Sequence, residues 1–191
     1  KELAGMVNML GAVVSKMPGT SDFSDARYGE YVLSQYNIVA GEFPEKENEC
    51  VLVIGRDNTA IDLLMAQLGF IEETKFLTYF DNAPKDGTVA GKDPEASKLI
   101  PYSTLLSKRY TLYYNDAVYK KNAPSDTYPF TYSGVRTGAD ANLDAADGAG
   151  VQLTVKGILK LKDGLDYGCL QKGLNVTESL AKKFVEEKLP Q

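Results

Sequence analysis

The apolar run at residues 50–54 (CVLVI), stopped by Gly55, is the feature that most constrains what this chain can fold into. An unbroken apolar run of this length, bounded by a turn residue, is typical of a strand that is covered on both of its faces. Such a strand needs neighbouring strands and two covering layers. The sequence therefore predicts a buried strand inside a mixed fold of helices and strands.

The residues on either side of this run extend the pattern. Residues 36–40 (YNIVA) are apolar and partly β-branched, which predicts a second strand. The charged segment 41–48 contains a proline and is expected to be a loop. After the buried strand, Asp57 or Asn58 is placed to cap an amphipathic helix, which Gly69 would end.

The C-terminal quarter supplies a second block of regular structure. Residues 151–161 (VQLTVKGILKL) predict a strand, with Gly157 at a bulge or a close backbone approach. Residues 177–188 have helical periodicity, and Thr177 is expected to be the N-cap. The strands at 50–54 and 151–161 are both too apolar to lie at a surface, so we expect them in one sheet.

The first 35 residues predict two helices. Apolar residues in the segment 2–17 recur at helical spacing, and Pro18 and Gly19 form a stop signal. A second helix is expected over residues 22–35, leading directly into the strand at 36–40.

The middle of the chain is different in character. Residues 71–150 are rich in turn signals and contain a predicted strand at 109–114. They predict a smaller inserted lobe between the two parts of a terminal lobe formed by residues 1–70 and 151–191, with hinges at Gly69, Gly148 and Gly150. Tyrosine is concentrated in the inserted segment, at Tyr102, Tyr110, Tyr113, Tyr114, Tyr119, Tyr128 and Tyr132. These rings either cover the faces of a small sheet, which we favour, or form a partner-binding surface.

Composition argues against several functions. The 191-residue chain has a net charge of −5, so nucleic-acid binding is not expected. It contains no histidine, which excludes histidine-dependent hydrolases and histidine zinc sites. The segment 87–93 is one residue too short for a phosphate loop and lacks the Ser/Thr that would hold Mg²⁺. The segment beginning at Asp140 lacks the glycine and the glutamate of a calcium-binding loop. We therefore expect no enzyme activity, no cofactor and no metal.

The order of strand, acidic G-x-x-P loop, Asn-Glu, apolar strand and capped helix ending in Leu-Gly resembles the extracytoplasmic domain of ABC-transporter permeases of the MacB/FtsX superfamily. The likeness is strongest to the large Gram-positive versions, and the closing L-x-V-x-G-I strand and helix support it. The matching blocks cover about half of the chain.

The resemblance implies a MacB-like α+β core with one lobe built from both chain ends and a second lobe inserted. It implies a non-catalytic extracellular domain of a plasma-membrane permease, which couples movement of membrane helices to the export or release of a peptide, lipid or lipoprotein, or to a partner protein. Its partners would be the flanking transmembrane helices and a cognate ATPase, with a permease dimer and an extracellular protein or peptide as further candidates. Both chain ends would then leave one face of the molecule.

Two alternatives stay open. A freestanding cell-surface module that binds a ligand or a protein would also fit, with the tyrosine-rich lobe as its binding site. Cys50 and Cys169 are expected to be unpaired thiols, although a disulfide between them remains an alternative.

Overall fold

A computed structural model describes residues 14–58, 60, 64–65, 68–70, 100–124, 127–132 and 150–188. The fold is α+β, as predicted, and is built on a six-stranded mixed sheet with a separate two-stranded sheet beside it. The strands are β1 (Val14–Lys16), β2 (Tyr36–Gly41), β3 (Glu49–Ile54), β4 (Arg109–Tyr113), β5 (Tyr119–Lys121), β6 (Phe130–Tyr132), β7 (Gly150–Leu161) and β8 (Gly173–Val176). The helices are α1 (Glu30–Leu33), α2 (Tyr102–Ser107), α3 (Asn115–Val118) and α4 (Glu178–Lys188).

The long strand β7 organises the large sheet. Strand β3 pairs with it in parallel, while β2 and β4 pair with it in antiparallel orientation along its C-terminal and N-terminal halves. On the other side of β3 the order continues through β8 to β1. The expectation that residues 50–54 and 151–161 share a sheet is confirmed.

Gly157 lies where three segments meet along β7. The register of β3 against β7 shifts between Cys50 and Val51, so that Cys50 is opposite Val155 and Val51 is opposite Gly157. A Cβ at Gly157 would overlap the carbonyl oxygen of Glu42, which follows β2 directly. The bulge and the close backbone approach predicted at this glycine are therefore both present.

The central strand β3 is buried along its whole length, as predicted. Its alternate side chains enter two core clusters, one on each face of the sheet. The first cluster contains Cys50, Leu52 and Ile54 and is covered by α4 and by Leu64, Leu68 and Leu105. The second contains Val51 and Val53 and is covered by Met17, Val32, Tyr36 and Leu170.

The predicted helix at 2–17 is wrong at its C-terminal end. Residues 14–16 form β1, which pairs in parallel with β8. Val14 and Ser15 accept a strand conformation readily, and the open edge of β8 supplies the hydrogen-bond partners that a local pattern cannot reveal. The first thirteen residues lie outside the described part of the chain.

The predicted helix at 22–35 is reduced to the four residues of α1. Gly29 immediately precedes α1 with a φ of 75°, a left-handed conformation that an ongoing helix does not contain. Asp22 and Asp25 instead accept hydrogen bonds from the backbone N–H groups of Ser24 and Arg27, which is the local side-chain bonding that favours turns over helix.

The segment at 100–114 does not belong to an inserted lobe. Strand β4 pairs with β7 over five residue pairs, and Leu105 of α2 lies in the first core cluster. Of the described residues between 71 and 150, the β5–β6 hairpin is the part that forms its own sheet. The predicted lobe boundary therefore does not separate residues 100–114 from the terminal lobe.

Candidate functional site

The tyrosines that the sequence groups together occupy two different environments. Tyr102 and Tyr110 pack against the first core cluster, and the Tyr110 hydroxyl donates a hydrogen bond to the Leu68 carbonyl at 3.1 Å. Tyr114 is buried, with its ring centroid 4.6 Å from that of Phe184 in α4. Burial raises the pKa of the Tyr110 hydroxyl, as expected for a phenol removed from water. These three tyrosines pack against the core and the elements that cover the sheet.

Two of these seven tyrosines, Tyr119 and Tyr128, are exposed on the β5–β6 hairpin. Tyr119 is 46% exposed and Tyr128 is 72% exposed, and Phe130 beside them is 56% exposed. Tyr132 is opposite Tyr119 in the hairpin register, while Tyr113 is half-buried on β4 in the large sheet. The predicted seven-residue surface is therefore not a single surface.

The hairpin is held by one side chain in particular. The Asn122 amide donates hydrogen bonds to the Tyr128 carbonyl at 2.9 Å and to the Thr131 hydroxyl at 2.7 Å. The backbone N–H of Asn122 also donates to the Pro129 carbonyl at 3.0 Å. These bonds fix the connection that displays Tyr128 and Phe130.

We define the hairpin surface as the exposed residues Tyr119, Lys121, Tyr128 and Phe130, of which Tyr119, Lys121 and Phe130 share one face of the hairpin by register. It combines aromatic rings, which bury large area on contact, with the ammonium group of Lys121 on an otherwise acidic chain. This composition suits contact with an acidic protein or peptide surface, because opposite charges guide the encounter and the rings supply the contact area.

The three glycines predicted as hinges have different positions. Gly69 has a φ of 73°, and the Phe70 N–H donates to the Met65 carbonyl at 2.9 Å, which is the capping arrangement that ends a helix. Gly150 lies within β7 opposite Tyr113, and a Cβ there would crowd the backbone of Leu112 and Tyr113. Gly150 is therefore required for close strand pairing, whereas Gly148 lies outside the described residues.

A junction of buried threonines joins elements from both parts of the chain. Thr177 is fully buried and caps α4, as predicted: its hydroxyl accepts a hydrogen bond from the Leu180 N–H at 3.3 Å. The same hydroxyl donates to the Glu47 carbonyl at 2.8 Å, in the loop before β3. Lys183 of α4 forms an ion pair with Glu47 at 2.9 Å. The loop, β8 and α4 therefore form one connected unit.

The turn after β1 completes this junction. Thr20 is fully buried, and its hydroxyl accepts a hydrogen bond from the Glu178 N–H at 2.9 Å. The backbone carbonyl of Thr20 accepts the next amide, from Ser179, at 3.3 Å. Together with Thr177, Thr20 satisfies the first three N–H groups of α4, which have no partner within the helix itself.

The two cysteines are free thiols, as favoured from the sequence. They face opposite sides of the sheet, since Cys50 is in the first core cluster and Cys169 packs against the second. Burial, with a smaller contribution from the Glu49 carboxylate, raises the pKa of the Cys50 thiol to about 12. A thiol held neutral in this way is a packing group and not a nucleophile.

Glu49 organises the loop between β2 and β3. Its carboxylate accepts hydrogen bonds from the backbone N–H groups of Glu45 at 2.7 Å and Lys46 at 3.1 Å. Tyr28 packs its ring against Phe43, and burial, with help from the Glu49 and Glu45 charges, raises the pKa of its hydroxyl to about 12. The glutamate of the Asn-Glu pair, Glu49, therefore closes the loop by binding two of its backbone N–H groups.

The described residues contain no cluster of three or more metal-binding side chains. Within the same residues, no helix is both long enough and apolar enough to cross a membrane. The predictions at 87–93 and at Asp140, Asn142, Asp144 and Asp147 lie outside the described residues, as do Lys1 and Gln191. The predicted geometry of the termini stays a prediction.

Comparison of the chain with protein-family models, with curated proteins and with solved structures finds no match.

Proposed function

We propose that this chain is the non-catalytic extracellular domain of an ABC-transporter permease subunit in a plasma membrane, which couples membrane-helix movement to the export or release of a peptide, lipid or lipoprotein, or to a partner protein. The observation that carries the proposal is the interleaving of the two parts of the chain in one sheet, in the order β1-β8-β3-β7-β2. Motion applied at either part would therefore reach the same rigid body.

The motifs that underlie the resemblance each have a structural role in the sheet. The acidic loop at 41–48 connects β2 to β3, its Pro44 is fully buried, and Glu49 closes it. The L-x-V-x-G-I segment is β7, the strand on which β2, β3 and β4 all pair. The motif residues thus form the framework of the sheet, which suits a mechanical role.

The first test asks on which side of the membrane this domain lies in the full-length protein. Tyr167 is 87% exposed, so a Tyr167→Cys substitution in a Cys169→Ser background offers one reactive thiol on the domain, while Cys50 is fully buried. A membrane-impermeant maleimide should label this position on intact cells to the same extent as after permeabilisation. Labelling that requires permeabilisation would contradict the extracellular placement.

A second measurement separates a permease from other membrane-attached proteins. We expect the full-length protein to carry apolar segments of about 20 residues on both sides of this domain. It should resist carbonate extraction and co-purify with an ATPase of the ABC type. A signal peptide with a single anchor, and no associated ATPase, would contradict the proposal.

The hairpin surface favours a second candidate function, a surface module that binds an acidic protein or peptide. Tyr128 and Phe130 project from a hairpin fixed by Asn122, and Lys121 is opposite Phe130 in the hairpin register. Crosslinking from a photoreactive residue placed at Tyr128 should then capture a partner that is lost in Phe130→Ala with Lys121→Ala. Unchanged capture by the double variant would contradict this role for the hairpin surface.

A further inference from the structure

We propose that residues 14–20 form a detachable strap, which opens together with the first turn of α4 while the central strands β3 and β7 remain paired. The strap consists of β1 and the turn that follows it, ending at Thr20. It is a property of the fold and stands whether or not the domain belongs to a permease.

The strap is held to the sheet by few bonds. Strand β1 has three residues, lies at the end of the sheet and pairs with β8 alone among the described strands. The Met17 N–H extends this pairing with a hydrogen bond to the Val176 carbonyl at 2.8 Å. A short edge strand can leave its neighbour without breaking any pairing further inside the sheet.

The strap also carries the cap of α4. The Thr20 hydroxyl accepts the N–H of Glu178, and the Thr20 carbonyl accepts the N–H of Ser179, at 2.9 and 3.3 Å. The same hydroxyl donates to the Met17 carbonyl at 2.8 Å, which fixes the turn that places it there. The first two amides of α4 therefore depend on the strap, whereas the third depends on Thr177.

Because of these contacts, the strap and the first turn of α4 should open together. Met17 and Thr20 are both fully buried, so removal of the strap uncovers Met17 at the second core cluster and frees two helix amides in one step. The Lys16–Glu178 ion pair, at 3.2 Å, links the same two segments at the surface. By contrast, β3 bonds to β7 and β8, and those ladders contain no strap residue.

Native-state hydrogen exchange on the 191-residue chain tests the proposal. Across a guanidinium series, the amides of Met17, Glu178 and Ser179 should share one opening, with a lower free energy and a smaller denaturant dependence than the amides of β3. Different openings for Met17 and Glu178, or merging of both with β3 at low denaturant, would overturn the proposal.

A single substitution provides the second readout. Thr20→Val keeps the shape of the side chain and removes its hydroxyl, so exchange at Met17, Glu178 and Ser179 should accelerate together, on the order of ten-fold. Exchange in β3 and β7 should be unchanged. The control Thr104→Val alters an exposed threonine of α2 and should leave exchange unchanged both at the three strap-dependent amides and in β3 and β7. Acceleration of β3 to the same extent, or failure of Thr20→Val to fold, would show that the strap is part of the global unit and would overturn the proposal.

Discussion

The central pair β3–β7 and the hairpin β5–β6 both contain large apolar or aromatic side chains, yet those side chains have opposite relations to water. Every residue of β3 is buried, and β7 supplies Leu153, Val155, Ile158 and Leu159 to the two core clusters. The hairpin pairs only within itself among the described strands and exposes Tyr119, Tyr128 and Phe130.

The difference shows that aromatic content alone does not settle burial. The unbroken apolar run of β3 points apolar side chains to both faces of the sheet, so β3 requires layers above and below it. Tyrosine has an apolar ring and a polar tip, so it can lie in a core when a carbonyl accepts its hydroxyl or at a surface when water does. Tyr110 and Tyr128 illustrate the two outcomes in one chain.

The largest difference between the two regions should come from removing apolar side chains. Ile158→Ala, at a fully buried position of β7, should lower the free energy of unfolding by about 2–5 kcal/mol because it leaves a cavity in the first core cluster. The matched hairpin variant Phe130→Ala should change it by less than about 0.5 kcal/mol. Urea unfolding measures both, and similar losses in the two variants would contradict the contrast.

Gly157 tests whether the tight packing around β7 extends to its backbone. In Gly157→Ala the new Cβ would overlap the Glu42 carbonyl oxygen. Because a backbone group cannot rotate away as a side chain can, we expect the free energy of unfolding to fall by about 3 kcal/mol. Lys160→Ala on the same strand is the control and should stay within about 0.5 kcal/mol of the wild type. A small effect of Gly157→Ala in urea unfolding would show that β2 and β7 can separate locally.

The buried thiol of β3 predicts a loss of stability in alkaline solution. In the unfolded chain Cys50 ionises from its ordinary pKa of 9.0, whereas in the folded chain its pKa is about 12. The unfolded state therefore releases its proton first, so this contribution is complete below pH 9 and is lost as the pH rises towards 12. Between pH 9 and 10.5 the loss should be about 2 kcal/mol.

Urea unfolding at several pH values measures this dependence. Cys50→Ala should flatten the fall above pH 9, whatever its stability at pH 7. Cys169→Ala is the matched control, because Cys169 is only half-buried and should contribute less to the pH dependence. An unchanged alkaline slope in Cys50→Ala would assign the fall to other groups, among them Tyr28.

The smallest effect on overall stability should come from the hairpin's own bonds. Asn122→Ala removes the amide that joins Tyr128 to Thr131, yet all three are outside the large sheet, so the free energy of unfolding should change by less than about 0.5 kcal/mol. Hydrogen exchange at β5 and β6 should accelerate while exchange at β3 stays unchanged. A loss above about 1 kcal/mol would show that the hairpin is coupled to the sheet.

Much of the sheet could be predicted because β3 is an uninterrupted apolar run and β7 alternates before its own apolar stretch. Residues 50–54 and 151–161 are patterned as strands that need covering, and Thr177 precedes a helical pattern with a side chain suited to capping. Tyr102, Tyr110 and Tyr114 could not be separated from Tyr119 and Tyr128 in the same way, because each tyrosine is equally able to be buried or exposed. Their position distinguishes them: Tyr102 begins the helix before β4, Tyr110 lies on β4 and Tyr114 directly follows it.

The sequence by itself determined the α+β class, the buried strand β3, the strand β7 with its glycine bulge, and the capped helix α4, because each depends on local pattern and on the cost of exposing apolar surface. The tertiary structure decided that residues 14–16 join β8 instead of extending a helix, that β4 completes the large sheet, and that Thr20 caps a helix that begins 158 positions later. Those choices depend on hydrogen-bond partners that are distant in the chain, and a local pattern carries no information about which distant group will be present.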